Sequence, residues 1–96
     1  MYTVDFLVDG MPIESIYCSF DDEQVWLSAG FDLVTERGNS AEAMGKTVWY
    51  ASEALKGSPE YFRNSYGDKY LSALRALDDL HELCESYPDA TIDVRY

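Results

Sequence analysis

The sequence predicts an α+β domain: an antiparallel β-hairpin, helices packed over one of its faces, and a short strand returning at the C-terminus. Three observations carry this reading. Residues 2–9 alternate apolar and polar, the period of a half-buried strand. Residues 41–55 and 70–84 repeat their apolar positions at three and four, the period of an amphipathic helix. Gly, Pro and one Asp-Gly pair fall where such elements should meet.

In the first strand Tyr2, Val4, Phe6 and Val8 alternate with Thr3, Asp5, Leu7 and Asp9. Asp9-Gly10 then signals a tight hairpin, because both residue types tolerate the positive φ that a two-residue turn demands. A second strand follows from about Ile13 to Phe20. Ile16, Cys18 and Phe20 share a face that excludes Ile13, so either the loop runs on to Ile13 or a bulge near Glu14-Ser15 shifts the register. Over residues 24–36, Val25, Leu27, Ala29, Phe31 and Leu33 alternate. This favours a third strand of a meander, bent at Gly30, over a helix capped at Asp21 or Asp22.

Gly38-Asn39-Ser40 breaks the chain. Asn39 with Glu42 three residues on resembles a capping box. Ala41, Met44, Val48, Ala51 and Leu55 then form the apolar stripe of a helix that Gly57 should end. Ser58-Pro59-Glu60 starts a second helix, with Pro at its first position. After Gly67 a further helix runs from about Asp68 to Tyr87, with Tyr70, Leu74, Leu77, Leu80 and Cys84 inward. Pro88 stops it, and Thr91 to Tyr96 reads as the returning strand.

Residues 1–96 form a single domain. With 47% hydrophobic residues, a chain of this length builds an ordinary core without metal or disulfide support. Cys18 and Cys84, far apart in sequence, read as reduced, buried thiols. The N-terminus lacks the basic and apolar regions of a signal peptide, and no apolar run nears the ~20 residues of a membrane span. The expected location is cytoplasmic.

Charge is the most uneven property of the chain. The formal net charge is −11. Residues 1–36 hold Asp5, Asp9, Glu14, Asp21, Asp22, Glu23, Asp32 and Glu36 and no Lys or Arg. Residues 76–94 hold Asp78, Asp79, Glu82, Glu85, Asp89 and Asp93, again without Lys or Arg. Every Lys and Arg except Arg95 lies between Arg37 and Arg75. Self-repulsion of this kind destabilises a compact state, so folding alone does not call for it. The bias points to a basic partner and excludes direct binding to nucleic acid or anionic membrane.

No catalytic residue, metal site or cofactor is expected. His81 is the one histidine; it is spaced to share a hydrogen bond with Glu85, and beside Cys84 it suggests a Cys–His pair, but Cys84 falls on the apolar stripe and a nucleophile also needs an orienting group and an oxyanion site. Asp21-Asp22-Glu23 fails the calcium-loop pattern, whose sixth and twelfth positions would be Trp26 and Asp32. The six glycines are scattered and build no phosphate cradle.

The acids suit recognition better. On a helix, Asp78, Glu82 and Glu85 fall at i, i+4 and i+7 beside Asp79, with neighbours ~5–6 Å apart. Asp21, Asp22 and Glu23 form a second cluster. If the two share a side, they present negative charge to a groove that otherwise takes phosphates, whose contacts dominate nucleic-acid affinity. Trp49-Tyr50, Tyr61, Tyr66 and Tyr96 leave the inward stripes, and Trp and Tyr commonly anchor interfaces. The expected contacts are therefore Asp21, Asp22, Glu23, Asp78, Asp79, Glu82 and Glu85, with Tyr66 and Trp49 as aromatic anchors.

In size, charge and aromatic content the whole chain resembles small acidic phage-type inhibitors, the anti-CRISPR and anti-restriction proteins that imitate DNA. That resemblance implies a non-enzymatic inhibitor, monomeric or homodimeric, occupying the basic nucleic-acid-binding surface of a CRISPR effector or restriction complex. Two alternatives stand beside it. The helix followed by Pro88-Asp89-Ala90-Thr91-Ile92-Asp93-Val94 resembles the ending of barstar-like immunity proteins, which plug a nuclease toxin. The exposed aromatics suit a host regulatory adaptor.

Overall fold

The computed structural model describes residues 1–96. Strand β1 (Tyr2–Val8) turns through Asp9 and Gly10, at φ 53° and 77°, into β2 (Met11–Cys18). The positive φ at both turn positions is what the Asp-Gly pair supplies. Phe6 lies opposite Glu14 while Leu7 lies opposite Pro12. Ile13 is thus the extra residue of a bulge, one position before the place the alternation suggests. The loop does not extend to it. Strand β3 (Thr91–Arg95) pairs antiparallel with β1 from the other side, giving the order β2-β1-β3.

The sheet buries Val4, Phe6, Ile92 and Val94 on one face. Its other face is crossed by a single polar tie. Buried Asp5 accepts two hydrogen bonds from Arg95, at 2.7 and 3.2 Å, and one from Ser15 Oγ at 2.6 Å. One carboxylate therefore links all three strands. Arg95, and then Ser15, hold it below the usual carboxylate range.

The region 24–36 corrects the sequence reading: it holds no strand, and the sheet is not a meander. A 3-10 turn at Phe20–Asp22 leads into α1 (Glu23–Ser28), and a second 3-10 turn follows at Leu33–Glu36. Ser19 Oγ accepts from the Asp21 N–H, and Asp21 and Asp22 occupy the first turn, where acids favour a helical start. Alternation misleads here because a strand through Val25 and Leu27 would turn Trp26, the largest side chain, to the opposite face. On the helix Val25 and Trp26 go in and Leu27 is left half-exposed. Trp26 is wholly buried, and its indole N–H donates to the Ala73 carbonyl at 3.1 Å.

The remaining helices follow their patterns. Helix α2 (Ala41–Gly57) buries Ala41, Met44, Val48, Ala51 and Leu55. Its cap is Ser40, whose Oγ accepts from the Ala43 N–H at 3.1 Å; Asn39, expected as the cap, donates instead to Glu36. Helix α3 (Pro59–Tyr66) ends at Gly67, and α4 (Lys69–Ser86) follows. Tyr70, Ala73, Leu77, Leu80 and Cys84 face the core, with Leu74 at its margin. Helices α2 and α4 meet closely at Gly45: a Cβ there would lie 3.0 Å from Cys84 Cβ, so any larger residue needs Cys84 to give way. No helix is long and apolar enough to cross a membrane.

Candidate functional site

Helix α4 separates two surfaces of different character. On one flank, the end of β2 and the 3-10 turn lie against α4 and leave a groove of about 520 Å³. Ile16, Tyr17, Cys18 and Leu71 form its apolar lining; Asp22, Asp68 and Asp79 supply carboxylates, and Arg75 the facing cation. Asp22 and Asp79, from separate acidic segments, thus belong to one groove. The 3-10 turn draws Asp22 inward until the residue is 3% exposed, and its carboxylate accepts from Ser72 Oγ at 3.1 Å. Burial, reinforced by Asp21, pushes its carboxyl above the ordinary range, while Ser72 and Lys69 oppose the shift. Burial, followed by the charges of Asp22 and Asp79, pushes the Cys18 thiol up to about 12.

On the other flank the acids find partners. Successive helical residues are about 100° apart, so Asp78 turns away from Asp79 toward α2. There it accepts from Ser52 Oγ at 2.9 Å and lies 3.5 Å from Lys56 Nζ. One turn on, His81 Nε2 lies 3.1 Å from Glu85 Oε1. Together with Cys84, Glu42 and Lys46 this pair lines a recess of about 250 Å³. Burial, and then Glu36, pushes the Cys84 thiol up to about 12. A thiol held protonated at neutral pH is a poor nucleophile, because the thiolate is the reactive form.

The other expected contacts are dispersed. Glu82 is exposed on the outer ridge of α4, between the two flanks. Asp21 is exposed and Glu23 half-buried; Glu23 accepts from the Tyr2 hydroxyl, which this bond and burial push up to about 12. Trp49 is half-exposed and meets Tyr50 edge-to-face at 5.1 Å on the outer side of α2. Tyr66 is half-buried, its ring stacked on Phe62. No group of three or more His, Cys, Asp and Glu side chains is placed to hold a metal ion.

Sequence reasoning missed Asp68, Arg75 and Leu71 as groove residues. Asp68 and Arg75 belong to the segment whose net charge is weakly positive, which hid them. It also missed the aromatic group at the same end of the sheet, where Phe20 and Tyr96 pack on Tyr2 at 4.6 and 5.4 Å. No family model, no curated protein and no solved structure matches this chain.

Proposed function

We propose that this chain is an acidic binding protein that acts by stoichiometric occupation of a partner's basic, nucleic-acid-binding surface. One observation carries the reading. Of 18 acids, only Asp5, Asp78, Glu85 and Asp93 have a basic group within 4 Å, so most of the −11 charge is unmatched within the fold. Such a field attracts a basic protein, speeds association and repels nucleic acid itself. The resemblance to phage-type inhibitors of CRISPR and restriction complexes supplies the partner class.

The test is capture from native host lysate at low and high salt, followed by competition. The captured protein should bind duplex DNA, and an equimolar amount of this chain should displace that DNA in fluorescence anisotropy. Capture should fade at high salt, because screening shortens the range of surface charge. It should also fade in a variant carrying Asp78→Asn, Asp79→Asn, Glu82→Gln and Glu85→Gln. A captured protein with no nucleic-acid affinity would overturn the reading. Salt-resistant capture lost on Trp49→Ala would instead favour an adaptor anchored by the Trp49–Tyr50 pair, whose rings lie open to solvent.

A further inference from the structure

The two edges of the sheet are finished differently. Along β3 the loop before α2 takes up the outer backbone groups. Gly38 N–H donates to the Ile92 carbonyl at 2.8 Å, Ile92 N–H donates to the Asn39 carbonyl at 2.9 Å, and Arg37 donates to the Val94 carbonyl. Along β2 no strand or loop does the same. That strand pairs only with β1. In an antiparallel pair, alternate residues bond the neighbour and the others turn their N–H and C=O outward. An edge left in that state is a template for another extended chain.

Not all of β2 is available. Its first half is blunted by Pro12, which has no N–H, by the Ile13 bulge and by the charge of Glu14. Its second half is regular, with Ser15, Ile16, Tyr17 and Cys18 in unbroken register opposite Asp5, Val4, Thr3 and Tyr2. The Ser15 N–H is turned to a long, 3.4 Å contact with the neighbouring Glu14 carboxylate, a weak substitute for a strand partner. This regular half borders the groove against α4, lined by Asp22, Asp68 and Asp79. Four residues of strand span ~13 Å.

We propose that the Ser15–Cys18 edge of β2 accepts an extended basic segment of the partner as a fourth strand. Backbone pairing supplies the alignment. Alternate Lys or Arg side chains of that segment reach Asp68 and Asp79 in the groove beside Ile16 and Leu71, and the side chains between them turn to the opposite face of the sheet, with Ser15 and Tyr17. A second copy of this chain is the poorer occupant: it also carries −11, and pairing β2 with β2 brings both sets of groove acids together. The proposal rests on the reading of the partner as a basic protein, and adds where and in what conformation that partner binds.

The probe is the capped peptide Lys-Val-Lys-Val-Lys-Val-Lys, titrated into the full 15N-labelled chain. A second peptide of the same sequence carries N-methyl groups on its valines, and a third replaces every Lys with Glu. The expected result is shifts centred on the amides of Ser15, Tyr17 and Cys18, with slowed hydrogen exchange at Ser15 and Tyr17. N-methylation should weaken binding at least tenfold, since it removes strand pairing and keeps the charge. The Glu peptide should not bind, and Asp68→Asn with Asp79→Asn should weaken the Lys peptide severalfold. Equal binding of the methylated peptide, or shifts away from β2, would overturn the proposal and leave the acidic-binding reading intact. Failure of every peptide would likewise overturn it, while lysate capture and DNA competition decide the broader reading separately. Concentration-dependent dimerisation that protects Ser15 and Tyr17 without peptide would overturn it in favour of a second copy.

Discussion

The two flanks of α4 draw on the same residue types and reach opposite electrostatic outcomes. Toward α2, Asp78 meets Lys56 and Ser52, and Glu85 meets His81. Toward β2, Asp22 is buried against a serine with Lys69 acting on it without an ion pair, and Asp68 and Asp79 share their groove with Arg75 but form no ion pair. All the Lys and Arg but Arg95 lie in sequence between Arg37 and Arg75, so the acids of α4 meet them most readily where its neighbour comes from that segment. Helix α2 lies within it; β2 and the 3-10 turn do not. The lesson is that one helix can carry a self-satisfied face and an unmatched face when its two neighbours come from regions of different composition.

That contrast can be broken by removing what holds the unmatched flank in place. Trp26→Ala removes a wholly buried indole and the hydrogen bond it donates to the Ala73 carbonyl. It should cost about 3–5 kcal/mol in urea unfolding. On the opposite flank, Gly45→Val drives methyl groups into Cys84 across the α2–α4 seam. An overpacking loss of about 1–3 kcal/mol is expected by the same measurement. Equal, small effects of the two substitutions would mean that neither seam is as tight as the distances imply.

Paired neutral substitutions sharpen the comparison by sign. Asp22→Asn keeps an oxygen for Ser72 and removes a charge whose burial raises its pKa. It should stabilise the fold at pH 7 by about 0.5–1 kcal/mol. Asp78→Asn loses the half-exposed Lys56 pair and should destabilise by about 0.5 kcal/mol or less. Thermal melts of both variants decide this, and a destabilised Asp22→Asn would show that its carboxylate is matched after all.

The pH dependence of the same set gives the smallest effects. Asp5 has a lowered pKa, so its contribution is present above the unfolded value near 3.9 and is lost as pH falls through its folded value. The stability gap between the parent chain and Asp5→Asn should therefore close in strong acid. Asp22 behaves oppositely: its raised pKa makes the protonated form the better folded one, and stability declines as pH rises through that value. The advantage of Asp22→Asn should grow from about pH 4 upward and then level off, as read from urea midpoints against pH.

Much of this was legible in the residues. The hairpin turn, the stripes of α2 and α4, the stop at Pro88 and the returning strand all rest on local chemistry, and they form where that chemistry places them. The failures are local signals overruled at a distance. Alternation over 24–36 counted Val25 and Leu27 alike and could not weigh Trp26 against a carbonyl 47 residues away. The i, i+4, i+7 run of Asp78, Glu82 and Glu85 was real, yet two of those three meet neighbours that the pattern does not contain. Asp22 carries a charge in the sequence and a burial cost only in the fold.

By itself, then, the sequence determined the net charge, its division into acidic ends and a basic middle, and the class of elements, because these depend on composition and on periods of two and 3.6. The tertiary structure alone decided which acids are neutralised, that Asp22 and Asp79 line one groove, and that β2 rather than β3 keeps an open edge. Those outcomes depend on which segments become neighbours in space, and the short-range forces that set hydrogen bonds, burial and ion pairs act only once they have.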